Sequence, residues 1–268
     1  MNLTADNYYS REANMEYCSV SQIKAFMKCP AAALAELNGE YQREQTTALL
    51  VGSYVDAWFS GEMEQFKAEH PEIFKRDGTP KAEYAQADQI IARVSKDEMF
   101  MEYMSGDKQV IMTGEIESVP VKIKVDSFLP DKIVDLKIMR DFQQIYDTDV
   151  CNYVPFWVWW RYDLQAAVYQ EIVRQNTGET LPFFFVVATK EKPAHLSLGK
   201  ISQWNMDDAL AGVRENIATF AEIKRGKLEP ERCEEYNCDY CTETKLITEP
   251  IDTDFFGLSA AQMKERHF

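Results

Sequence analysis

Two aspartates and a lysine near the middle of the chain have the types and spacing of a site for a hard cation. Asp126 and Asp135 lie late in two successive β-rich runs, 121–128 and 132–138, which a Leu-Pro-Asp turn separates. Such runs pair as a hairpin, and neighbouring strands lie about 4.8 Å apart, so the two carboxylates can come side by side. Lys137 follows Asp135 by two residues, which places both side chains on one face of the strand. Two carboxylates beside an ammonium group can hold Mg²⁺ or Mn²⁺ and position a water molecule.

The same spacing also has a purely structural interpretation. On a solvated hairpin, aspartate and lysine side chains form salt bridges that have no catalytic role. Apolar residues flank the second aspartate throughout 133–138, however, and this pattern favours burial. A buried carboxylate needs a partner, but the spacing alone leaves both interpretations open.

The elements around these residues predict an α/β (α+β) domain. Ser19 and Gln22 have the spacing of a capping box, which begins a helix. Residues 62–108 are charged and helical in pattern, so we expect a helical insertion there with a lobe of its own. The remaining expected elements are a helix at 48–59, a β-meander at 110–138, a helix at 156–175, strands at 181–190 and 195–204, and a helix at 206–225. This order predicts a central mixed β-sheet flanked by helices.

Four short motifs, in chain order, resemble those of the RecB-like branch of the PD-(D/E)xK nucleases. Asp126 followed by Asp135-Leu136-Lys137 is similar to the D…D-x-K core of that superfamily. The others are an S-x-S-x-I…C-P segment at 19–30, a segment similar to G-x-x-x-H at 52–56 and a Q-x-x-x-Y segment at 165–169. The resemblance covers residues 19–241 and implies a restriction-endonuclease-like core in a single nuclease domain, 1–268. Within the branch, a chain of this length without helicase motifs looks most like phage- or prophage-encoded exonucleases of the RecE (exonuclease VIII) kind.

The resemblance also implies a set of metal ligands. Asp126 and Asp135 would bind Mg²⁺ or Mn²⁺, and the Leu136 carbonyl and Asp56 would complete the shell. Asp56 stands where many relatives have histidine, but an aspartate is still a competent oxygen ligand. Glu115 or Glu117, on the preceding strand, is a further candidate ligand, with Glu115 weakly favoured. A solvated strand edge is the more common explanation for either glutamate.

Roles in catalysis and DNA binding follow in the same way. Lys137 would orient the attacking water, and Gln165 and Tyr169 would position the scissile strand or support the site. Lys124 and Arg161 would contact the DNA backbone. The implied activity is a metal-dependent exonuclease that hydrolyses linear double-stranded DNA in phage-type recombination. The implied partners are DNA ends, a ring-forming homo-oligomer and a single-strand annealing protein.

Two other classes of function remain open at this point. The nuclease fold could be retained as a catalytically silent module that binds DNA or protein and carries a structural metal clip. Alternatively, the chain could be an acidic interaction protein in which the D-x-K match is accidental. Degradation of linear duplex in the presence of Mg²⁺ separates both from the enzyme.

A group of cysteines near the end of the chain has metal-ligand spacing. Cys233, Cys238 and Cys241 lie within nine residues, and a C-x₂-C pair lets two sulfurs converge on one ion. The fourth ligand would be Cys29, since some RecB-like nucleases close one N-terminal and three C-terminal cysteines around an iron–sulfur cluster. The spacing differs from theirs, so a [4Fe–4S] cluster, Zn²⁺ and metal-free thiols all stay open. Residues 229–245 would then clip the chain ends together.

The overall composition excludes several classes of protein. Of 268 residues, 46% are apolar and 12% aromatic, which is too many for an intrinsically disordered chain. No apolar run approaches the roughly 20 residues of a membrane span, and the N-terminus has no signal-peptide pattern. We therefore expect a cytoplasmic protein with no membrane partner, in a bacterial host.

The charge is acidic, at −15, which argues against a basic coat protein for nucleic acid. Lysines nevertheless cluster on the meander, at positions 122, 124, 132 and 137. Because local field decides where a phosphate can lie, this pattern favours an enclosed and focused path for DNA.

Overall fold

The computed structural model describes residues 1–42, 47–147, 150–233 and 238–246, with side chains in the fourth helix described from residue 49. The helices are α1 (Arg11–Glu16), α2 (Val20–Lys28), α3 (Pro30–Asn38), α4 (Thr47–Ser60), α5 (Met63–Glu69), α6 (Ala82–Val94), α7 (Glu98–Tyr103), α8 (Phe156–Trp159), α9 (Tyr162–Thr177), α10 (Gln203–Lys224) and α11 (Asp239–Glu243), with a 3₁₀ turn at Pro71–Ile73. None of these helices is both long and apolar enough to cross a membrane.

A five-stranded mixed sheet forms the centre of the fold, in the order β1-β2-β3-β6-β7. Its strands are β1 (Asp107–Ile116), β2 (Val119–Leu129), β3 (Lys132–Met139), β6 (Phe183–Thr189) and β7 (Leu196–Lys200). Only β3 and β6 are parallel within this sheet; the other neighbours are antiparallel. A separate hairpin joins β4 (Ile145–Asp147) to β5 (Asn152–Val154). The predicted mixed sheet flanked by helices is confirmed.

Each face of the sheet is covered by a different set of helices. Helices α2, α9 and α10 cover one face, with Phe26, Val168 and Ile217 among the apolar side chains packed on it. Helices α4, α6 and α7 cover the other face, where Val55 and Ile90 pack against the sheet. Full burial of one such side chain stabilises the fold by about 1.5–3 kcal/mol. The expected helical insertion is therefore one of the two layers over the sheet and not a lobe of its own.

Helix α2 begins at the residue that the sequence predicts, and side-chain or backbone caps mark the ends of α2 and α3. The Ser19 hydroxyl accepts the backbone N–H of Gln22 at 3.3 Å and caps α2. The Gln22 side chain does not complete the capping box, because it donates to the Asn14 carbonyl. Cys29 ends α2 and caps α3 through its sulfur, and Gly39 ends α3 in a left-handed conformation with φ 78°.

Three boundaries differ from the expectations. The helix expected at 156–175 is two helices, because Arg161 adopts φ 49° and breaks the chain direction between α8 and α9. Helix α10 begins three residues early, since Ser202 caps it by accepting the N–H of Asn205. The β4–β5 hairpin was not expected, because its three-residue strands are too short to give a periodic pattern.

Strands β2 and β3 form a fork, and the fork defines the site. They pair only through Ser127↔Val134, Phe128↔Ile133 and Leu129↔Lys132. The same register would next place Asp126 opposite Asp135, but the ladder stops there. On the far part of the same edge, the backbone of Cys18 pairs with β2 on either side of Val121. The two aspartates thus lie where the two strands separate.

Candidate active site at the strand fork

Asp126 takes the place of the missing ladder bond in the fork. Its Oδ2 accepts the backbone N–H of Leu136 at 2.9 Å. The N–H and carbonyl of a strand residue point to the same edge, so the Leu136 carbonyl also points toward the fork. Burial raises the pKa of Asp126 well above its ordinary value, and the nearby carboxylates of Asp135 and Asp56 raise it further. A cation bound next to this carboxylate would favour its charged form.

Asp135 is held by two side chains. Gln165 donates a hydrogen bond from Nε2 to Asp135 Oδ1 at 2.6 Å, and the ammonium of Lys137 forms an ion pair with Oδ2. Asp135 is 3% exposed, so its orientation is fixed by these partners. Burial opposes the charge on Lys137, but Asp135, Tyr162 and Asp126 together more than offset it, and the pKa of Lys137 is raised. Lys137 is therefore an ammonium group at neutral pH.

Asp56 on α4 reaches the fork through Gln109. The Gln109 amide nitrogen lies 3.0 and 3.1 Å from the two Asp56 oxygens and 3.5 Å from Asp126 Oδ1. Gln109 has φ 52° and interrupts the β1–β2 ladder opposite Asp126, which turns its side chain into the fork. Burial raises the pKa of Asp56 to about 6, partly opposed by Lys124. Sequence reasoning missed Gln109, since it precedes the predicted strand and a bulge leaves no clear sequence signal.

Tyr169 and Gln165 face the sheet from α9, one helical turn apart. The Tyr169 hydroxyl donates to the Lys124 carbonyl at 2.9 Å, and thereby holds β2 in position beside the fork. Lys124 itself points into the cleft, with its Nζ 4.8 Å from the centre of the Tyr9 ring. The structure thus brings both motif residues and Lys124 to the predicted site.

Lys24 on α2 is a third cation at the site, and sequence reasoning missed it. Its Nζ donates to the Trp160 carbonyl at 2.7 Å and lies 5.6 Å from the centre of the Tyr162 ring. Lys137 approaches the same ring, at 5.0 Å. Burial and the nearby Lys137 lower the pKa of Lys24 to about 8. Its place inside the S-x-S-x-I…C-P motif was the available signal.

Arg161 lies at the edge of this group. Its Nε binds Asp163 at 3.1 Å, and half of its side chain is exposed. It follows Trp160 directly, so it is next to the carbonyl that holds Lys24. It is positioned at the mouth of the site but is not in the fork.

The structure contradicts the placement of Glu115 in the metal site. Glu115 pairs with Pro120 at the closed end of the β1–β2 hairpin, six residues along the strand from Gln109. Six residues of strand correspond to about 20 Å. The side chain of Gln175, at the end of α9, binds the Glu115 backbone there. The hairpin register thus brings Gln109, and not Glu115, opposite Asp126.

Two of the four clustered lysines also have structural roles. Lys122 is 1% exposed and donates to the Tyr8 carbonyl and to Asn14 Oδ1, which ties the N-terminal segment to β2. Lys132 pairs with Asp131 at the turn beyond the fork. The cations that face the site are therefore Lys24, Lys124 and Lys137.

A cleft of about 760 Å³ opens onto Lys24 and Lys124. Its wall includes Asp56, Gln109 and Asp126 on one side and Ser21 and Lys24 of α2 on another. Asp126, at the floor of the cleft, belongs to the strand fork.

The polar atoms of the fork fit a divalent cation. Among the described residues, the buried Gln109 Oε1 has no hydrogen-bond partner, and the buried Asp135 Oδ2 has only its ion pair with Lys137. Both belong to the fork, and carboxylate and amide oxygens are the ligands that Mg²⁺ and Mn²⁺ prefer. The Gln109 amide nitrogen lies between Asp56 and Asp126 and donates hydrogen bonds to both carboxylates. The residues present therefore suit the cation that the fold family implies.

The four cysteines form a second candidate metal centre. The sulfur atoms of Cys29, Cys233, Cys238 and Cys241 all lie within 4.8 Å of one another. Cys29 and Cys241 are buried with their sulfurs 3.5 Å apart, and neither forms a disulfide. Burial opposes a thiolate at Cys29, but hydrogen bonds, led by the backbone N–H of Ala32, lower its pKa to about 7. A low pKa favours the thiolate that a metal requires.

Comparisons with known proteins agree with this geometry. A family model described as a PDDEXK-like domain of unknown function (DUF3799) matches residues 19–244. Among solved structures, the chain is similar to a candidate exonuclease from Eubacterium rectale, at 46% sequence identity and a TM-score of 0.88, over 96% of this chain and 98% of that chain. No functionally curated protein matches it. With its aspartates and lysine at the fork of a mixed sheet, the chain belongs to this PDDEXK-like family and is a PD-(D/E)xK nuclease.

Proposed function

We propose that the protein hydrolyses phosphodiester bonds in DNA with a divalent cation, as an exonuclease on linear duplex. The observation that carries the proposal is the convergence of Asp126, Asp135 and Lys137 at the strand fork, under an open cleft. The similarity to a candidate exonuclease supports nuclease activity in this protein. The preference for ends rests on that similarity, since endonucleases and exonucleases can use the same site.

Asp126, Asp135 and the Leu136 carbonyl would hold Mg²⁺ or Mn²⁺, with Asp56 as a further ligand. When bound, such a cation activates a water molecule and stabilises negative charge on the phosphate. Gln165 keeps Asp135 in the orientation that leaves Oδ2 toward the fork. Tyr169 supports the same geometry from the other strand, through the Lys124 carbonyl.

Lys137 would orient the attacking water by donating a hydrogen bond to it from its ammonium group. Its ammonium already pairs with Asp135, and its raised pKa keeps it protonated. Lys24, Lys124 and Arg161 line the route of the DNA backbone in this proposal. No carboxylate lies within salt-bridge distance of Lys24 or Lys124 among the described residues, so both are available to phosphates.

The four cysteines are proposed to hold a [4Fe–4S] cluster, with Zn²⁺ and metal-free thiols as the alternatives. Cys29 comes from the junction of α2 and α3 and the others from the region of α11, so a bound metal would tie the two parts together. The backbone N–H of Ala31 already donates to the Glu231 carbonyl beside the cluster. The centre would be structural, since it lies outside the strand fork.

The narrower expectations remain predictions from the sequence. These are the RecE-like specificity, a role in phage recombination, a ring-forming oligomer, a single-strand annealing partner and a cytoplasmic location in a bacterial host. The first four rest on the family resemblance, and the location rests on the composition of the sequence.

The deciding experiment is an assay with linear duplex DNA and Mg²⁺. Wild-type protein is expected to release nucleotides from linear duplex and to leave closed circular duplex intact. Asp135→Ala should lower the rate by about a thousandfold or more, since the cation supplies several kcal/mol of transition-state stabilisation. Asp131→Ala is the matched control, because this exposed aspartate lies in the turn of the same hairpin and pairs with its neighbour Lys132 outside the fork.

Two results would contradict the proposal. Cleavage of closed circles at the same rate as linear DNA would identify an endonuclease. DNA binding without degradation, over a range of ends and of Mg²⁺ and Mn²⁺ concentrations, would identify a catalytically silent binding module.

A further inference from the structure

An exposed aromatic surface adjoins the candidate active site. It consists of Tyr146 and Tyr153 on the β4–β5 hairpin and of Trp157, Trp159 and Trp160 around α8, and is called the aromatic ledge below. Each of these side chains is between 38% and 61% exposed. Exposed apolar side chains that are scattered singly are common, but a group of large ones marks an interaction surface.

The ledge is supported from below, so its outer rings are not needed for packing. Phe156 is buried and stacks on Phe142, which anchors α8. Tyr146 and Tyr153 pair across the hairpin, with ring centres 5.3 Å apart. Among the described residues, Trp159 and Trp160 make no ring-to-ring contact. Their indole faces are therefore available to a ligand.

The ledge is continuous with the strand fork. The Trp160 carbonyl accepts the hydrogen bond from Lys24 that holds this cation at the site. Trp157 stacks on Phe185, with ring centres 6.5 Å apart. Phe185 is in turn the register partner of Asp135 in the parallel β3–β6 pair. A strand whose phosphate reaches Asp135 thus has its neighbouring nucleotides beside the ledge.

The electrostatics of the chain favour stacking as the mode of binding. The net charge is −15, and the arginine nearest to the ledge, Arg161, is already paired with Asp163. The cations available to phosphates, Lys24 and Lys124, line the cleft rather than the ledge. Aromatic faces bind bases without positive charge and without sequence preference, and only unpaired bases expose a face to them.

We infer that the aromatic ledge is a base-stacking site for unpaired nucleotides of the DNA strand that enters the fork. The inference rests on the proposed nuclease function for the identity of that strand. It gives the site a second substrate requirement besides the phosphodiester bond, namely a short single-stranded stretch next to the scissile phosphate. Bases of the frayed strand would stack on Trp159 and Trp160.

The test measures binding without cleavage, in the presence of EDTA. The probes are an oligothymidylate of about twenty nucleotides and an abasic oligonucleotide of equal length and charge, chosen to exceed the site size of a stacking surface. Wild-type protein should bind the oligothymidylate, with quenching of tryptophan fluorescence, at least about tenfold more tightly than the abasic strand. Trp159→Ala/Trp160→Ala should lose about tenfold or more of the oligothymidylate affinity, and Trp159→Phe/Trp160→Phe should restore most of it.

Trp204→Ala is the matched control, because Trp204 is 74% exposed at the start of α10 and lies outside the ledge. Its affinity for oligothymidylate should equal that of the wild type. Equal affinity of the wild type for the abasic and the base-bearing strand would overturn the inference, as would unchanged affinity in the double alanine variant. A change of oligomeric state in that variant, with oligothymidylate affinity intact, would instead identify the ledge as a subunit interface.

These outcomes are independent of the nuclease assay. If Trp159→Ala/Trp160→Ala loses oligothymidylate binding but cleaves duplex ends at the normal rate, the ledge is not part of the substrate path and the inference is wrong. Absence of cleavage with intact, ledge-dependent binding would overturn the proposed enzyme but leave the base-stacking site standing.

Discussion

Gln165 donates a hydrogen bond to Asp135 over 2.6 Å and so fixes which carboxylate oxygen faces the strand fork. The bond occupies Oδ1, and Oδ2 is left to Lys137 and to a cation. Because Gln165 is on α9 and Asp135 on β3, the bond also locks the helix to the sheet at the site. Gln165 is a positioning residue in this arrangement.

Gln165→Leu should therefore weaken cation binding without unfolding the protein. Loss of a partner behind a metal ligand typically costs 10- to 100-fold in metal affinity or activity. We expect the Mg²⁺ concentration needed for half-maximal cleavage to rise by about tenfold or more. Gln170→Leu, on the same helix, removes a buried amide that binds the Leu181 carbonyl instead. This control should lose stability to a similar degree but keep its Mg²⁺ dependence, and an equal shift in both variants would contradict the role of Gln165.

Lys24→Ala should lower kcat/KM for DNA by about ten- to a hundredfold, as expected for a lost charge-assisted contact of about 1.5–3 kcal/mol. The salt dependence of DNA binding should also become shallower by about one ion, since one phosphate contact is removed. Lys28→Ala is the matched control, because Lys28 is one turn further along α2 and exposed. If Lys28→Ala lowers kcat/KM as much as Lys24→Ala, the effect is one of general charge and the specific role of Lys24 is wrong.

The core of the site could be predicted from sequence because its spacing is local. Asp126, Asp135 and Lys137 lie within one hairpin, and strand alternation and hairpin pairing act over a few residues. The same locality predicted the helix start at Ser19. Such features depend on backbone geometry that neighbouring residues determine.

The remaining site residues depend on register and on long-range packing. Gln109 reaches the fork because one positive φ angle interrupts the ladder, and Glu115 misses it because the hairpin turns at 117–118. Lys24 reaches the site only through the contact of its helix with the Trp160 carbonyl, 136 residues away in sequence. Neither a bulge nor a contact at that separation has a periodic signal in a single sequence.

If the cysteine cluster binds a metal, the iron, sulfide and zinc content of the purified protein can be measured directly. Protein purified without oxygen should be brown and contain about four iron and four sulfide per chain if the [4Fe–4S] proposal holds. Cys241→Ser should lose the iron and lower Tm by about 5 °C or more, because a metal that binds only the folded state stabilises it. Cys151→Ser, an exposed position outside the cluster, should retain both. One zinc per chain in colourless protein would support the zinc alternative, and metal-free protein with unchanged Tm in Cys241→Ser would contradict any metal clip.

The buried carboxylates should make the metal-free protein less stable as pH rises. Burial raises the pKa of Asp56 from 3.8 to about 6, so between these values the folded protein holds a proton that the unfolded chain has released. Stability then falls with rising pH across this window, and a shift of about two pH units corresponds to about 3 kcal/mol as an upper value. Asp56→Asn removes the titrating group and keeps an acceptor for Gln109.

At pH 8 without metal, Asp56→Asn should therefore be more stable than wild type by about 1–3 kcal/mol, and the difference should vanish below about pH 4. The measurement is urea denaturation at a series of pH values in EDTA. Asp208→Asn, which neutralises an exposed carboxylate on α10, controls for net charge and should follow the wild-type curve. Added Mg²⁺ should stabilise the wild type more than Asp56→Asn, because the cation replaces the proton between the carboxylates. Parallel pH curves for wild type and Asp56→Asn would contradict the expected cost of ionising the buried Asp56 carboxylate.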